Sequence, residues 1–70
     1  MITRHELGYL TKRTAQFQFF NESGQESLVY VDLVKDDNGV LTNFKPKTKN
    51  TAELDYINNH KEELMTDLTK

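Results

Sequence analysis

Apolar residues recur at every second position within residues 15 to 20 and again within residues 27 to 34. This period of two is the spacing of a β-strand that buries one face and exposes the other. The two stretches therefore predict two strands whose apolar faces meet in one core. The residues on the predicted core face are Ala15, Phe17, Phe19, Val29, Val31 and Leu33.

The residues between these strands decide how the strands pair. We expect residues 22 to 24 to form a three-residue loop that ends on a left-handed Gly24. This loop sets Phe17 opposite Val29 and brings the two apolar faces together. A two-residue turn would instead set Phe17 opposite Tyr30 and turn every side chain over. We therefore favour the longer loop.

A second turn and a third strand follow. Asn38 and Gly39 form the strongest short hairpin signal in the chain, because both residues tolerate the positive φ of a type I′ turn. With these two residues as the loop, the third strand covers residues 40 to 45. Leu33 then pairs with Phe44, which extends the predicted core face.

The C-terminal segment follows a helical period. Asn50, with Glu53 three residues later, has the spacing of a capping box and predicts a helix start. Lys61 interrupts the apolar stripe, although its aliphatic stem can cover apolar surface while the ammonium group reaches water. We expect one helix that lies across the core face of the sheet. Its apolar stripe consists of Leu54, Ile57, Leu64 and Leu68.

Residues 1 to 14 fit two structures. Thr3 and Glu6 have capping-box spacing, which favours a short helix. Gly8 costs such a helix about 1 kcal/mol relative to alanine, and the alternation from residue 7 to residue 15 is also compatible with a strand. We expect the short N-terminal helix.

Together these elements predict an α+β fold. A three-stranded antiparallel β-meander packs on a C-terminal α-helix, with a short helix at the N-terminus. Residues 1 to 70 should form a single small domain, because a chain of this size buries only about 60% of its unfolded surface and has no room for a second core.

Composition and motifs argue against several kinds of chemistry. The chain has no cysteine, which excludes disulfides, thiolate nucleophiles and cysteine zinc sites. The two histidines lack the i, i+4 spacing of a helical zinc site, and we expect them in solvent near helix ends. The chain also lacks a Gly-x-Ser-x-Gly elbow and a glycine-rich phosphate loop. We therefore predict no catalytic residue, metal, cofactor or small-molecule substrate, and a protein that is not an enzyme.

The expected location is the cytoplasm. The first residues lack the apolar region of a secretory signal, and no apolar stretch approaches the length of a membrane span. We therefore expect no membrane partner.

The second face of the predicted sheet carries apolar residues that one helix cannot cover. The N-terminal segment could pack there through Leu7, Tyr9 and Leu10. Alternatively, the face is exposed and marks an interface. The second reading gives our first functional hypothesis, a small interaction protein that forms a homodimer or docks on a protein partner. The predicted partner-binding residues are Phe20, Leu28, Tyr30 and Val34.

Two alternatives involve nucleic acids. The net charge is −2 and the isoelectric point is about 5.6, so no overall basic field attracts a nucleic acid. A weak single-stranded nucleic-acid binder would need a stacking aromatic and local phosphate contacts. Alternatively, the acidic C-terminal segment could imitate a phosphate backbone and inhibit a nucleic-acid enzyme. The candidate nucleic-acid contacts are Lys12, Arg13, Tyr30, Lys45, Lys47 and Lys49.

Overall fold

The computed structural model describes residues 1–69 and shows an antiparallel sheet with two helices on one face. The strands are β1 (Ile2–Leu10), β2 (Thr14–Asn21), β3 (Glu26–Lys35) and β4 (Leu41–Pro46), and they lie side by side in chain order. The helices are α1 (Thr51–Asn59) and α2 (Lys61–Thr69). The α+β class is confirmed, but the sheet has four strands rather than three.

The predicted N-terminal helix is wrong, because residues 2 to 10 form the edge strand β1. The chain reverses through a tight turn in which the backbone N–H of Thr11 donates to the carbonyl of Thr14 at 2.8 Å. β1 then pairs with β2, with His5 opposite Phe19. An isolated helix of this length is marginal in water, whereas pairing with β2 satisfies backbone groups along the strand. The tertiary partner therefore overrides the local capping signal.

The pairing of β2 with β3 is as predicted. The loop over residues 22 to 24 is closed by hydrogen bonds from Gly24 N–H to the carbonyl of Asn21 (3.0 Å) and from Asn21 N–H to the carbonyl of Gln25 (3.1 Å). Gly24 has a φ of 82°, the left-handed conformation that glycine adopts without strain. The facing pairs include Ala15 with Val31, Phe17 with Val29 and Phe19 with Ser27.

The second hairpin differs from the prediction. Gly39 has a φ of 80°, but no non-glycine residue within the described range has a positive φ, so the type I′ turn at Asn38 is wrong. The backbone N–H of Gly39 donates to the carbonyl of Asp36 at 3.0 Å, which makes a three-residue loop like the first one. A register shift at the start of β4 then compensates for the extra loop residue. As a result the predicted pair of Leu33 with Phe44 is confirmed.

A side-chain carboxyl or amide group explains why both hairpins use this loop. Oδ1 of Asn21 accepts hydrogen bonds from the backbone N–H groups two and four residues later, each at 2.9 Å. Oδ1 of Asp36 makes the same two bonds at the same distance. Asparagine and aspartate stabilise turns in this way. In the second hairpin this interaction prevails over the preference of Asn-Gly for a type I′ turn.

The predicted C-terminal helix is two helices that meet at His60. Asn50 caps α1 as expected, because its side chain accepts the backbone N–H of Glu53 at 3.1 Å. The backbone N–H of His60 closes α1 on the carbonyl of Tyr56 at 3.0 Å, and the His60 carbonyl accepts the N–H of Leu64 at 3.0 Å. The break leaves Lys61 exposed on the surface instead of within the apolar stripe.

The core lies between one face of the sheet and the two helices. Phe17, Phe19, Val31 and Leu64 are completely buried within it. The helices also contribute Tyr56, which lies outside the predicted apolar stripe. The buried core residues are Ala15, Phe17, Phe19, Val29, Val31, Phe44, Tyr56, Ile57, Leu64 and Leu68.

The loop geometry can be tested at two neighbouring positions. We expect Gly39→Ala to lower the free energy of unfolding by about 1–2 kcal/mol, because alanine is strained in the left-handed region. A β-carbon at Gly39 would meet no atom within 4 Å, so the loss would come from the backbone alone. Asn38→Ala should change stability by less than about 0.5 kcal/mol. Urea denaturation measures both, and an equal loss for the two variants would indicate a type I′ turn.

Candidate functional site

The sheet face opposite the helices, which we call the outer face, carries five large apolar or aromatic side chains. We call this group the outer patch. Both helices pack on the core face, and β1 lies beside β2 in the plane of the sheet. Within residues 1–69 the outer face therefore has no covering element. The outer patch consists of Tyr9, Phe20, Leu28, Tyr30 and Val34.

The predicted partner-binding residues all lie on the outer face. Leu28 is 48% exposed and Tyr30 is 44% exposed, whereas Phe20 and Val34 are half-buried. The alternative in which the N-terminal segment covers this face through Leu7, Tyr9 and Leu10 is wrong for Leu7 and Leu10, and only Tyr9 lies on the outer face. Leu7 points to the core side opposite Phe17.

Tyr9 belongs to the patch because of a β-bulge at Gly8. Leu7 faces Phe17 and Tyr9 faces Gln16, so one extra residue lies between the two pairs. The bulge reverses the side-chain parity of β1, and Tyr9 turns from the core side to the outer face. Glycine fits closely here, because a β-carbon at Gly8 would lie 2.6 Å from Oε1 of Gln16 and 3.1 Å from its backbone oxygen, so a larger residue would displace the Gln16 side chain and crowd the backbone. An isolated glycine in a strand pattern is the sequence signal for such a bulge.

Tyr9, Gln16 and Tyr30 form a row across three strands. The rings of Tyr9 and Tyr30 have centroids 6.5 Å apart. Nε2 of Gln16 donates a hydrogen bond to the Tyr30 hydroxyl at 3.2 Å. Tyr9 itself is 42% exposed. The row is therefore fixed by its own contacts and still presents two aromatic surfaces to solvent.

Charged groups of both signs surround the outer patch. The guanidinium carbon of Arg4 lies 3.9 Å from the centre of the Phe20 ring, a cation–π contact that partly covers Phe20. Arg4 also pairs with Glu6 at 3.4 Å, and Lys47 pairs with Asp32 at 3.3 Å. The rim of the patch therefore consists of paired positive and negative charges, and these pairs give it no strong net charge of either sign.

The structure brings together only some of the predicted nucleic-acid contacts. Lys45 lies on β4 opposite Asp32. The backbone N–H of Lys47 donates to the carbonyl of Tyr30 at 2.9 Å. The backbone of Lys47 therefore lies next to that of Tyr30. The three remaining basic residues lie in connections rather than on the sheet. Lys12 and Arg13 occupy the turn between β1 and β2, and Lys49 lies between β4 and α1.

A second cluster joins the sheet to both helices. Nδ1 of His5 lies 2.7 Å from the hydroxyl of Tyr56 on α1, and its Nε2 lies 3.1 Å from Oδ2 of Asp67 on α2. The edge of the imidazole packs against the rings of Phe17 and Phe19. The His5 side chain is only 9% exposed, so the expectation of a solvent-facing His5 is wrong. The three polar residues are far apart in the chain, and no local pattern links them.

The order carboxylate, imidazole and hydroxyl is also that of a nucleophile activated by a base. The pKa of the Tyr56 hydroxyl argues against a role as a nucleophile. Burial, together with the nearby Glu63 carboxylate, raises the pKa of Tyr56 above its ordinary value of 10.0. The phenolate is therefore disfavoured. We interpret the cluster as a hydrogen-bonded connection that positions α1 and α2 against β1.

A groove of about 400 Å³ runs between β1 and α1. The residues that line it are Met1, Ile2, Ala52, Asp55, Tyr56, Asn59 and His60. A more open depression lies over residues 58 to 66, where α1 meets α2. Over residues 1–69, no three histidine, aspartate or glutamate side chains are placed to hold a metal ion. Neither α1 nor α2 has the length or the apolar character needed to cross a bilayer.

Comparison of this chain with protein-family models, with curated proteins and with solved structures gave no match.

The connection through His5 can be tested by removing one hydroxyl. We expect Tyr56→Phe to lower the free energy of unfolding by about 1–2 kcal/mol at neutral pH, because a ring nitrogen of His5 loses its partner. Above the ordinary tyrosine pKa of 10.0 the unfolded chain ionises this phenol while the folded protein keeps it protonated. The wild type should therefore lose stability as pH rises through this range. Tyr56→Phe should lack this component.

Urea denaturation at neutral pH and above pH 10.0 measures both effects. Tyr9→Phe is the matched control, since Tyr9 lies on the outer face, away from the core. The free energy of unfolding of the Tyr9→Phe variant should fall with rising pH as that of the wild type does. If the free energy of unfolding of Tyr56→Phe falls with pH in parallel with that of the wild type, Tyr56 is not the source of the pH dependence.

Proposed function

We propose that this chain is a non-enzymatic interaction protein that docks on a protein partner, or on a second copy of itself, through the outer patch. The observation that carries the proposal is the exposure of Leu28 and Tyr30, which lie next to each other on one sheet face. Large apolar side chains that are grouped and uncovered are typical of interfaces. Scattered single residues would need no such explanation.

The chemistry of the face supports a protein as the partner. Tyrosine, phenylalanine and arginine are enriched at protein interfaces, and tyrosine and arginine often contribute most of the binding energy. Tyr9 and Tyr30 are held by contacts with neighbouring residues, so binding would require little additional ordering. The rim of paired charges suits a partner with mixed polar groups and does not favour a strongly basic or acidic one.

Size gives an independent reason for a partner. In a domain of 70 residues, the gain from apolar burial and the loss of chain entropy nearly cancel. A partner that binds only the folded state shifts the equilibrium toward that state. An interface on the outer face would therefore add stability that the single core layer does not supply.

A photoreactive amino acid at position 28 tests the proposal in the cells that make the protein. We expect irradiation to yield a cross-linked protein adduct of defined mass. The adduct should disappear when Tyr30→Asp is added, because a buried charge without a partner opposes docking. The same photoreactive residue at position 40 is the control, since Val40 is also an exposed apolar residue but lies in the hairpin between β3 and β4.

Two results would count against docking through the outer patch. One is the absence of any adduct at position 28, and the other is an equal yield from positions 28 and 40. Far-ultraviolet circular dichroism and thermal unfolding should show that Tyr30→Asp remains folded.

A weak single-stranded nucleic-acid binder remains the second proposal. It is supported by the exposed rings of Tyr9 and Tyr30, on which bases could stack, and by Lys45 and Lys47 beside Tyr30. Against it, Lys47 is already paired with Asp32, so a phosphate would have to displace a carboxylate. The inhibitor hypothesis uses the opposite side of the molecule. There the carboxylates of α1 and α2 outnumber Lys61, but Asp67 is engaged with His5.

Oligonucleotide binding distinguishes these proposals. If the outer face binds single strands, fluorescence anisotropy should detect binding at low salt that weakens steeply as salt rises. Lys45→Glu should abolish it, whereas Lys61→Glu on α2 should have little effect. If no binding is detected at low salt, the nucleic-acid proposal is refuted.

A further inference from the structure

We infer that a second copy of this chain pairs with the free edge of β1, with Arg4 of each copy opposite Glu6 of the other. The two sheets then join into one, and the two outer faces lie side by side. This pairing uses the edge of β1 rather than the outer patch, so it goes beyond the proposed function and does not depend on it. It leaves the outer patch free for a different protein.

The first support is the difference between the two edges of the sheet. An edge strand presents unpaired backbone N–H and C=O groups to any strand that can reach them. β4 is only six residues long and ends on Pro46, which has no N–H to donate. β1 is nine residues long and contains no proline. β1 is therefore the edge that can accept another strand.

The second support is the charge pattern of β1. Arg4 and Glu6 both project from the outer face and pair with each other at 3.4 Å, but they are 59% and 58% exposed, so each can also meet the opposite charge of a second copy. Two identical antiparallel strands are related by a two-fold axis at which one residue faces its own copy. An axis at Arg4 sets arginine against arginine, and an axis at Glu6 sets glutamate against glutamate.

Only an axis at the residue between them gives complementary charges. An axis at His5 places Arg4 opposite Glu6 twice, once on each side. Opposite charges that face each other across antiparallel strands are stabilising, and like charges are destabilising. β1 also pairs regularly with β2 from Arg4 to Leu7, between its two register shifts. The chosen axis lies within this regular stretch.

The same register would cover exposed apolar surface on the core side of β1. It brings Leu10 of the second copy next to Met1, beyond the end of the paired stretch. Leu10 and Met1 are both exposed in the single chain. Met1 also lines the groove between β1 and α1. Leu10 of the second copy could enter this groove, so the pairing adds apolar contact to the two ion pairs.

The His5 side chains do not obstruct this arrangement. Each imidazole lies under its own sheet, held by Tyr56 and Asp67 of the same chain. The groups that face it are the Tyr56 hydroxyl, the Asp67 carboxylate and the rings of two core phenylalanines. The two-fold axis therefore passes between two His5 residues whose side chains are hydrogen-bonded within their own chains.

Charge reversal gives a decisive experiment with purified protein. Arg4→Glu alone sets glutamate against glutamate at both paired positions, and Glu6→Arg alone sets arginine against arginine there. We expect each variant to weaken the homodimer at least about tenfold in sedimentation equilibrium. Mixing the two variants should restore association as a heterodimer, because each carries the charges that the other lacks. Native mass spectrometry would identify this heterodimer if the two variants differ in isotope labelling.

The controls change charge by the same amount elsewhere. Lys12→Glu and Asp37→Lys lie in turns, outside the paired stretch, and should dimerise as the wild type does. Thermal unfolding should confirm that every variant is folded. The proposed pairing is overturned if the wild type is monomeric at the highest concentration, if the single reversals still dimerise, or if mixing restores nothing.

These outcomes are separate from those of the outer patch. Loss of the photo-cross-link at position 28 with an intact charge-swap heterodimer would refute the proposed docking face and leave the β1 pairing standing. A monomeric wild type that still cross-links at position 28 would refute the pairing alone.

Discussion

Coverage of the sheet is the constraint on which the rest of this structure depends. Two helices of nine residues each follow the sheet, and both pack on one face. That face contains all the buried sheet residues, because side chains on a strand alternate between faces. The other face has no element to cover it within residues 1–69. Its aromatic residues therefore reach solvent, and the proposed partner would bury them.

One largely buried histidine side chain helps to position the helices. His5 reaches Tyr56 on α1 and Asp67 on α2 from the edge strand. A polar group near the core is costly unless its hydrogen bonds are made, so this cluster favours one placement of the helices over others. The break at His60 contributes to the same arrangement, because it ends α1 at Asn59, two residues after the buried Ile57, and α2 begins at Lys61.

Irregularities in the sheet decide which residues meet on the outer face. The bulge at Gly8 turns Tyr9 toward Tyr30, and the shift in β4 restores the pair of Leu33 with Phe44 after a longer loop. Each is a single extra residue, and each changes the face of every later side chain in its strand. The first irregularity therefore brings Tyr9 into the outer patch, and the second keeps Phe44 on the core face.

The sequence by itself determined the core face of β2 and β3, the first hairpin loop, the cap at Asn50 and the outward direction of Leu28 and Tyr30. These follow from alternation, turn chemistry and capping, which act over a few neighbouring residues. Only the tertiary structure decided that residues 2 to 10 are a strand, that Tyr9 joins the patch and that His5 connects the sheet to both helices. In each of these cases the determining partner is distant in the chain: β2 for the strand, Gln16 for the bulge, and Tyr56 and Asp67 for the histidine. Local patterns do not encode such contacts, because they depend on which segments pack together once the chain has collapsed.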